Sequence, residues 1–169
     1  MKENFGILPD GTQAALYTIH GGGLTATVTD FGAHLVSLMV PDKDGHIEDV
    51  VLGFDDANGY RTGNGAYLGA TVGRNANRVK DASLVIEDTK VRLDTNDGAN
   101  NLHSGYNGFH LRMWEMERRN DHSVTFHLVS PQGDQGFPGK ADIYVTYSLE
   151  AGGVLRIRYD GLCDRDTVF

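Results

Sequence analysis

Cysteine is almost missing. Cys163 is the single one in 169 residues. One thiol forms no internal disulfide and no thiolate metal cage, which fits a reducing compartment and leaves the residue the expected role of a buried small hydrophobe. Long apolar runs are missing too. No stretch reaches the ~20 residues of a membrane-spanning helix, and the opening MKENFGILPDG lacks the apolar core of a signal peptide. The expectation is a soluble, cytoplasmic chain. Basic residues are outnumbered, 15 Lys and Arg against 23 Asp and Glu, giving a formal net charge of −8. An acidic surface repels nucleic acid and anionic membranes, so neither is expected as a partner. The cations are scattered, with Arg118-Arg119 the densest pair. No segment repeats apolar residues at helical spacing for three turns. Zinc-site spacing is absent as well: His20, His34, His46, His103, His110, His122 and His127 include no close pair with a carboxylate in that pattern, so no metal is expected. His34 and His127 fall in strand patterns and read as satisfied structural groups, while His20, His46 and His122 fall at turns and read as solvated.

What is abundant is glycine. Twenty-two residues are glycine, about twice the average usage of ~7%, and they fall between short apolar stretches without a period. That distribution suits many short strands joined by turns. Leu24, Ala26 and Val28 alternate with threonines after Gly21-Gly22-Gly23, which predicts a hairpin over residues 14–30. HLVSLMV (34–40) and EDVVLGF (48–54) read as further strands around the turn at Pro41–Gly45. Leu84 and Ile86 face Val91 and Leu93 across Glu87–Lys90. Val124, Phe126 and Leu128 alternate. Ile143, Val145, Tyr147 and Leu149 alternate, turn at Gly152-Gly153, and return as Leu155, Ile157 and Tyr159. The spacing predicts an all-β chain, an antiparallel β-sandwich.

Three loops stand out. GANNLHSG (98–105) places His103 among turn formers, where a rigid scaffold presents groups to ligands. TVGRNANR (71–78) combines arginines and asparagines, the planar donors that sugar hydroxyls demand; arginines at strand ends are also commonly just solvated or paired. GDQGFPG (133–139) reads as a tight turn, with Phe137 as a lid or platform in the alternative.

Taken in order, GRNANR, NNLHSG, GFHLRMWE and SPQGDQGFPG, preceded by VTDFGAHLVSLMVPDKDG and DVVLGFDDANGY, resemble the aldose 1-epimerases, or galactose mutarotases. The resemblance runs from about residue 15 to the end. It implies a galactose mutarotase-like supersandwich acting on hexoses such as galactose and glucose without a cofactor. One group takes the proton of the anomeric hydroxyl while another protonates the ring oxygen; the ring opens, the aldehyde turns, and the steps reverse. The resemblance assigns sugar binding to Asn77, Arg78 and His103. It implies that Trp114 and Phe109 pack beneath the His103 loop and that Gly136–Gly139 form a turn beside the cleft. It places the general-acid histidine in an Asn-His-x-Tyr-Phe-Asn segment after Phe169, and the general-base glutamate later still. Residues 1–169 are therefore expected to be the N-terminal half of a single domain, with His103 as an assisting group and the C-terminal half as the required complement. A stand-alone carbohydrate-binding module is the second reading. A third, His103 as sole acid and base, asks one group to serve two opposed positions.

Overall fold

The computed structural model describes residues 2–63 and 65–169. Two antiparallel sheets face each other. The first holds β1 (Lys2–Ile7), β2 (Gln13–Gly21), β3 (Leu24–Thr29), β4 (Leu35–Pro41) and β5 (Ile47–Asp49) in sequence order. The second holds β10 (Glu115–Arg119), β11 (Ser123–Ser130), β12 (Ala141–Glu150) and β13 (Val154–Cys163), also in order. Between them in the chain come the two-residue ladder of β6 (Arg78–Val79) with β9 (Asn101–Leu102), and the hairpin of β7 (Ser83–Ile86) with β8 (Thr89–Arg92). Among the described residues one α-helix forms, α1 (Ala57–Gly63).

The alternation read from the sequence is what closes the sandwich. Tyr17 and Ile19 of β2, Ala26 and Val28 of β3, Val124 and Phe126 of β11, and Ile143, Val145 and Tyr147 of β12 form one buried cluster. Side chains of period two all reach the same face, and each large apolar one stabilises the fold by about 1.5–3 kcal/mol when buried. Trp114 and Phe109 join this cluster as expected, edge to face at 5.7 Å. A smaller cluster sits under α1 around Phe31 and Tyr60.

Several expectations need correction. Cys163 is exposed, because it closes β13 at the open edge of its sheet, where no layer covers it. EDVVLGF supplies only two residues of strand, Glu48 and Asp49; beyond Asp49 the run leaves the sheet, and Val50 and Leu52 face solvent. Phe137 is no lid: it is fully buried with Ala82, Val91 and Leu93 beneath the β7–β8 hairpin. Cations scattered in sequence converge in space, since antiparallel pairing brings Arg118, Arg119 and Arg158 to one groove of about 680 Å³ on the second sheet.

Candidate active site

Ladder pairing positions the candidate residues. Arg78 stands opposite Leu102 and Val79 opposite Asn101, so the NANR segment and the NNLHSG loop run side by side. The segment is also fixed from below. Thr71 donates its hydroxyl hydrogen to the Ala33 carbonyl (3.0 Å), which also accepts the Tyr147 hydroxyl from the core (2.8 Å). Gly69, at φ 61°, has the Leu35 carbonyl where a Cβ would stand, so only glycine permits this approach.

Arg74 is the strongest anchor, and the sequence reading passed over it. It is 4% exposed. Its guanidinium donates to the Ser130 hydroxyl (2.8 Å) and carbonyl (2.9 Å), to the carbonyls of Pro138 (2.7 Å), Gly139 (2.7 Å) and Pro131 (3.1 Å), and to the Thr167 hydroxyl (3.1 Å). The five fixed donors of an arginine suit this task as no lysine could. Arg112 pins the same loop through a two-pronged bond to Asp134 (2.6 and 2.7 Å). Burial works to raise the Asp134 carboxyl, but hydrogen bonds from Arg112 and Ser130 outweigh it and hold the group below its ordinary range.

Above this base, Asn77, Arg78 and His103 come together. The Asn77 backbone N–H donates to His103 Nδ1 (3.0 Å), and the His103 N–H donates to the Asn77 carbonyl (3.1 Å). An imidazole that accepts at Nδ1 and is neutral carries its hydrogen on Nε2. Neutrality is favoured: burial and then the adjacent Arg78 charge hold the His103 pKa below its usual value. Arg78 is half-exposed, and its Nε donates to Asp97 at 2.7 Å, which orients the rest of the guanidinium. Tyr67, Asn77, His103 and Ser104 all hold left-handed backbones, with φ of 56°, 66°, 51° and 72°. Each such conformation costs a non-glycine residue about 1–2 kcal/mol, and clusters of them mark functional loops.

Two neighbours carry no local signal in the sequence. Tyr67 sits with its ring 4.4 Å from His103 and 4.8 Å from His110, and His110 is buried. A groove of about 580 Å³ between Asn75, Ala76 and Tyr159 adjoins the segment. Neither it nor the arginine groove is lined by Asn77, Arg78 or His103; the chemistry of the donor set, rather than cavity size, marks this wall. Among the described residues, Asp42, Asp44 and His46 bring ligand atoms within 4.8 Å of one another. The Asp42 carboxylate is already engaged there, accepting the N–H groups of Asp44 (2.8 Å) and His46 (2.9 Å) as it shapes the turn.

The aldose 1-epimerase family model matches residues 15–169. The aldose 1-epimerase of Haemophilus influenzae is 39% identical over 160 residues, 94% of this chain and 46% of the relative. The galactose mutarotase of Bos taurus is 35% identical over 96% of this chain and 47% of its own length. The chain thus spans about half the length of the curated relatives it matches. A solved aldose epimerase homologue from C. elegans superposes with a TM-score of 0.84 at 39% identity, over 89% of this chain and 46% of that one. The galactose 1-epimerase of Lactobacillus acidophilus gives the same TM-score of 0.84 at 24% identity, over 100% of this chain and 50% of that one, a likeness of fold. With antiparallel sheets in this order and a family match over nearly the whole length, the chain belongs to the aldose 1-epimerase family.

Proposed function

We propose that these residues form one wall of a mutarotase site, which interconverts the α and β anomers of hexoses such as galactose and glucose by acid/base ring opening. The observation that carries this reading is the β6–β9 ladder, which brings three kinds of donor side by side: the Asn77 side-chain amide, the Arg78 guanidinium and the Nε2–H of His103. Sugar hydroxyls and a ring oxygen are the acceptors such a wall suits. Opening the ring moves one proton from the anomeric hydroxyl to a base and delivers another from an acid to the ring oxygen, so the sum of atoms is unchanged and no redox partner enters. His103, neutral and donating, assists; the general acid and general base come from the other half of the same domain, of which residues 1–169 are the N-terminal half.

The test is polarimetric mutarotation of α-galactose and α-glucose by the full polypeptide carrying these residues. His103→Ala and Arg78→Ala are expected to lower kcat/KM about a hundredfold or more, whereas His122→Ala, whose ring Nδ1 donates to the His20 carbonyl elsewhere in the fold (2.6 Å), leaves it unchanged. Equal effects of all three overturn the assignment. Sugar binding without any rate acceleration replaces the enzyme by a carbohydrate-binding module.

A further inference from the structure

Tyr67 reaches across from a separate segment to lie between His103 and His110, and the three meet as a row of rings. The His103 and Tyr67 rings are 4.4 Å apart at 56°, and the Tyr67 and His110 rings 4.8 Å apart at 61°. His110 is 6% exposed, and its Nδ1 is buried with no hydrogen-bond partner among the described residues. Leaving such an atom unpaired costs about 1–3 kcal/mol, a cost an ordinary core ring would avoid. The imidazole also needs Gly108, where a Cβ would stand 3.0 Å from Nδ1.

We propose that Tyr67 and His110 are positioning residues for His103: His110 backs the Tyr67 ring, and Tyr67 sets the plane of the His103 imidazole, so that one orientation of its Nε2–H is offered to a sugar oxygen. The Asn77 N–H fixes a single point of that imidazole. One hydrogen bond leaves the ring free to swing about its own axis, and an aromatic face at contact distance removes that freedom. The row requires uncharged rings. A proton on His103 Nδ1 would confront the Asn77 N–H, donor against donor. The charged groups facing the row are Arg78 and its partner Asp97 (2.7 Å) on the His103 side, with His34 behind His110. Burial together with His34 and His103 holds the His110 pKa down at about 4, so the backing ring stays neutral at physiological pH. A gain in orientation of this kind is where remote residues influence binding and rate.

This inference rests on reading His103 as a sugar contact, and the experiment separates the two. Nitrogen NMR of the labelled protein reports the His103 tautomer and its titration with no sugar present. The wild type is expected as the Nε2–H form. Tyr67→Leu and His110→Ala each give a mixture of tautomers, a His103 pKa shifted toward its free value, and sugar affinity about tenfold weaker. Tyr67→Phe and His110→Phe keep the row of rings and so keep the wild-type tautomer and affinity. Should Tyr67→Leu fail to fold, His110→Ala and its Phe rescue decide alone. A His103 tautomer and pKa indifferent to both truncations overturn the proposal. If the tautomer responds but galactose and glucose neither bind nor mutarotate, the positioning stands and the sugar assignment falls.

Discussion

Arg74 and Arg78 stand four positions apart in one segment, and their surroundings assign them different work. Arg74 is enclosed by hydroxyl and carbonyl acceptors from the 130–139 loop, while Arg78 is half in solvent with one acidic partner. Removing the first strands several buried carbonyls. Arg74→Met is therefore expected to destabilise the fold by about 3 kcal/mol, read as a lowered urea midpoint, with Arg74→Lys little better because an ammonium cannot reach so many acceptors at once. Arg78→Met should change that midpoint by less than about 1 kcal/mol, as surface ion pairs do. A larger loss from Arg78 than from Arg74 would reverse the two roles. The residue types of both were legible, but their burial was not. Nothing in GRNANR distinguishes the arginine that faces inward, because that depends on a loop some sixty residues away. The roles of Tyr67 and His110 were illegible for the same reason: ring contacts with a residue distant in the chain leave no local pattern. His103 was legible because its setting of turn formers is itself local.

Elements were legible where one face is buried and illegible where none is. β12 alternates buried and half-buried over all ten residues, and its period of two is plain in the sequence. β10, EMERR, is exposed throughout, and β1 buries Phe5 alone; both are edge strands held by main-chain bonds, which carry no side-chain signature. EDVVLGF misled in the opposite direction, being apolar without being covered. β13 is the edge with consequences. Ile157 is 41% exposed, Tyr159 46% and Leu162 68%, on a ten-residue strand whose outer main-chain groups have no neighbouring strand among the described residues. Long apolar edges recruit another strand. The 169-residue chain on its own is expected to self-associate through β13, seen as a mass that rises with concentration in light scattering. Ile157→Lys with Leu162→Lys should restore the monomer. A wild-type chain that stays monomeric at every concentration would exclude this edge as an interface.

At the scale of the whole molecule, the two-layer architecture follows from alternating strands that need a partner face, and this much could be read from the sequence. The acid response could not, because it depends on which histidines the layers enclose. Burial pushes His34 down to about 4 against the opposing bond from its Nδ1–H to the Phe31 carbonyl (2.8 Å), and His110 likewise falls to about 4. In the unfolded chain both titrate near 6.5. Between those values the unfolded state binds two protons that the folded state refuses, so stability is complete above pH ~6.5 and falls as the pH drops toward ~4. The slope approaches about 2.7 kcal/mol per pH unit where both contribute in full. The lowered pKa of His103 acts in the same direction. Asp30 opposes them: burial raises its pKa, so the folded state takes up a proton there ahead of the unfolded one and recovers part of the loss at the acid end. Carboxyls held low, such as Asp134, lose their contribution only below pH ~3.8, outside this window. Urea unfolding at pH 7.5, 6.0 and 5.0 should therefore give steadily falling midpoints, with His110→Gln reducing the slope by about half. Midpoints that hold level down to pH 5.0 would mean that both imidazoles accept protons inside the fold, and the neutral row of rings beside the Asn77–His103 lock would lose its physical basis.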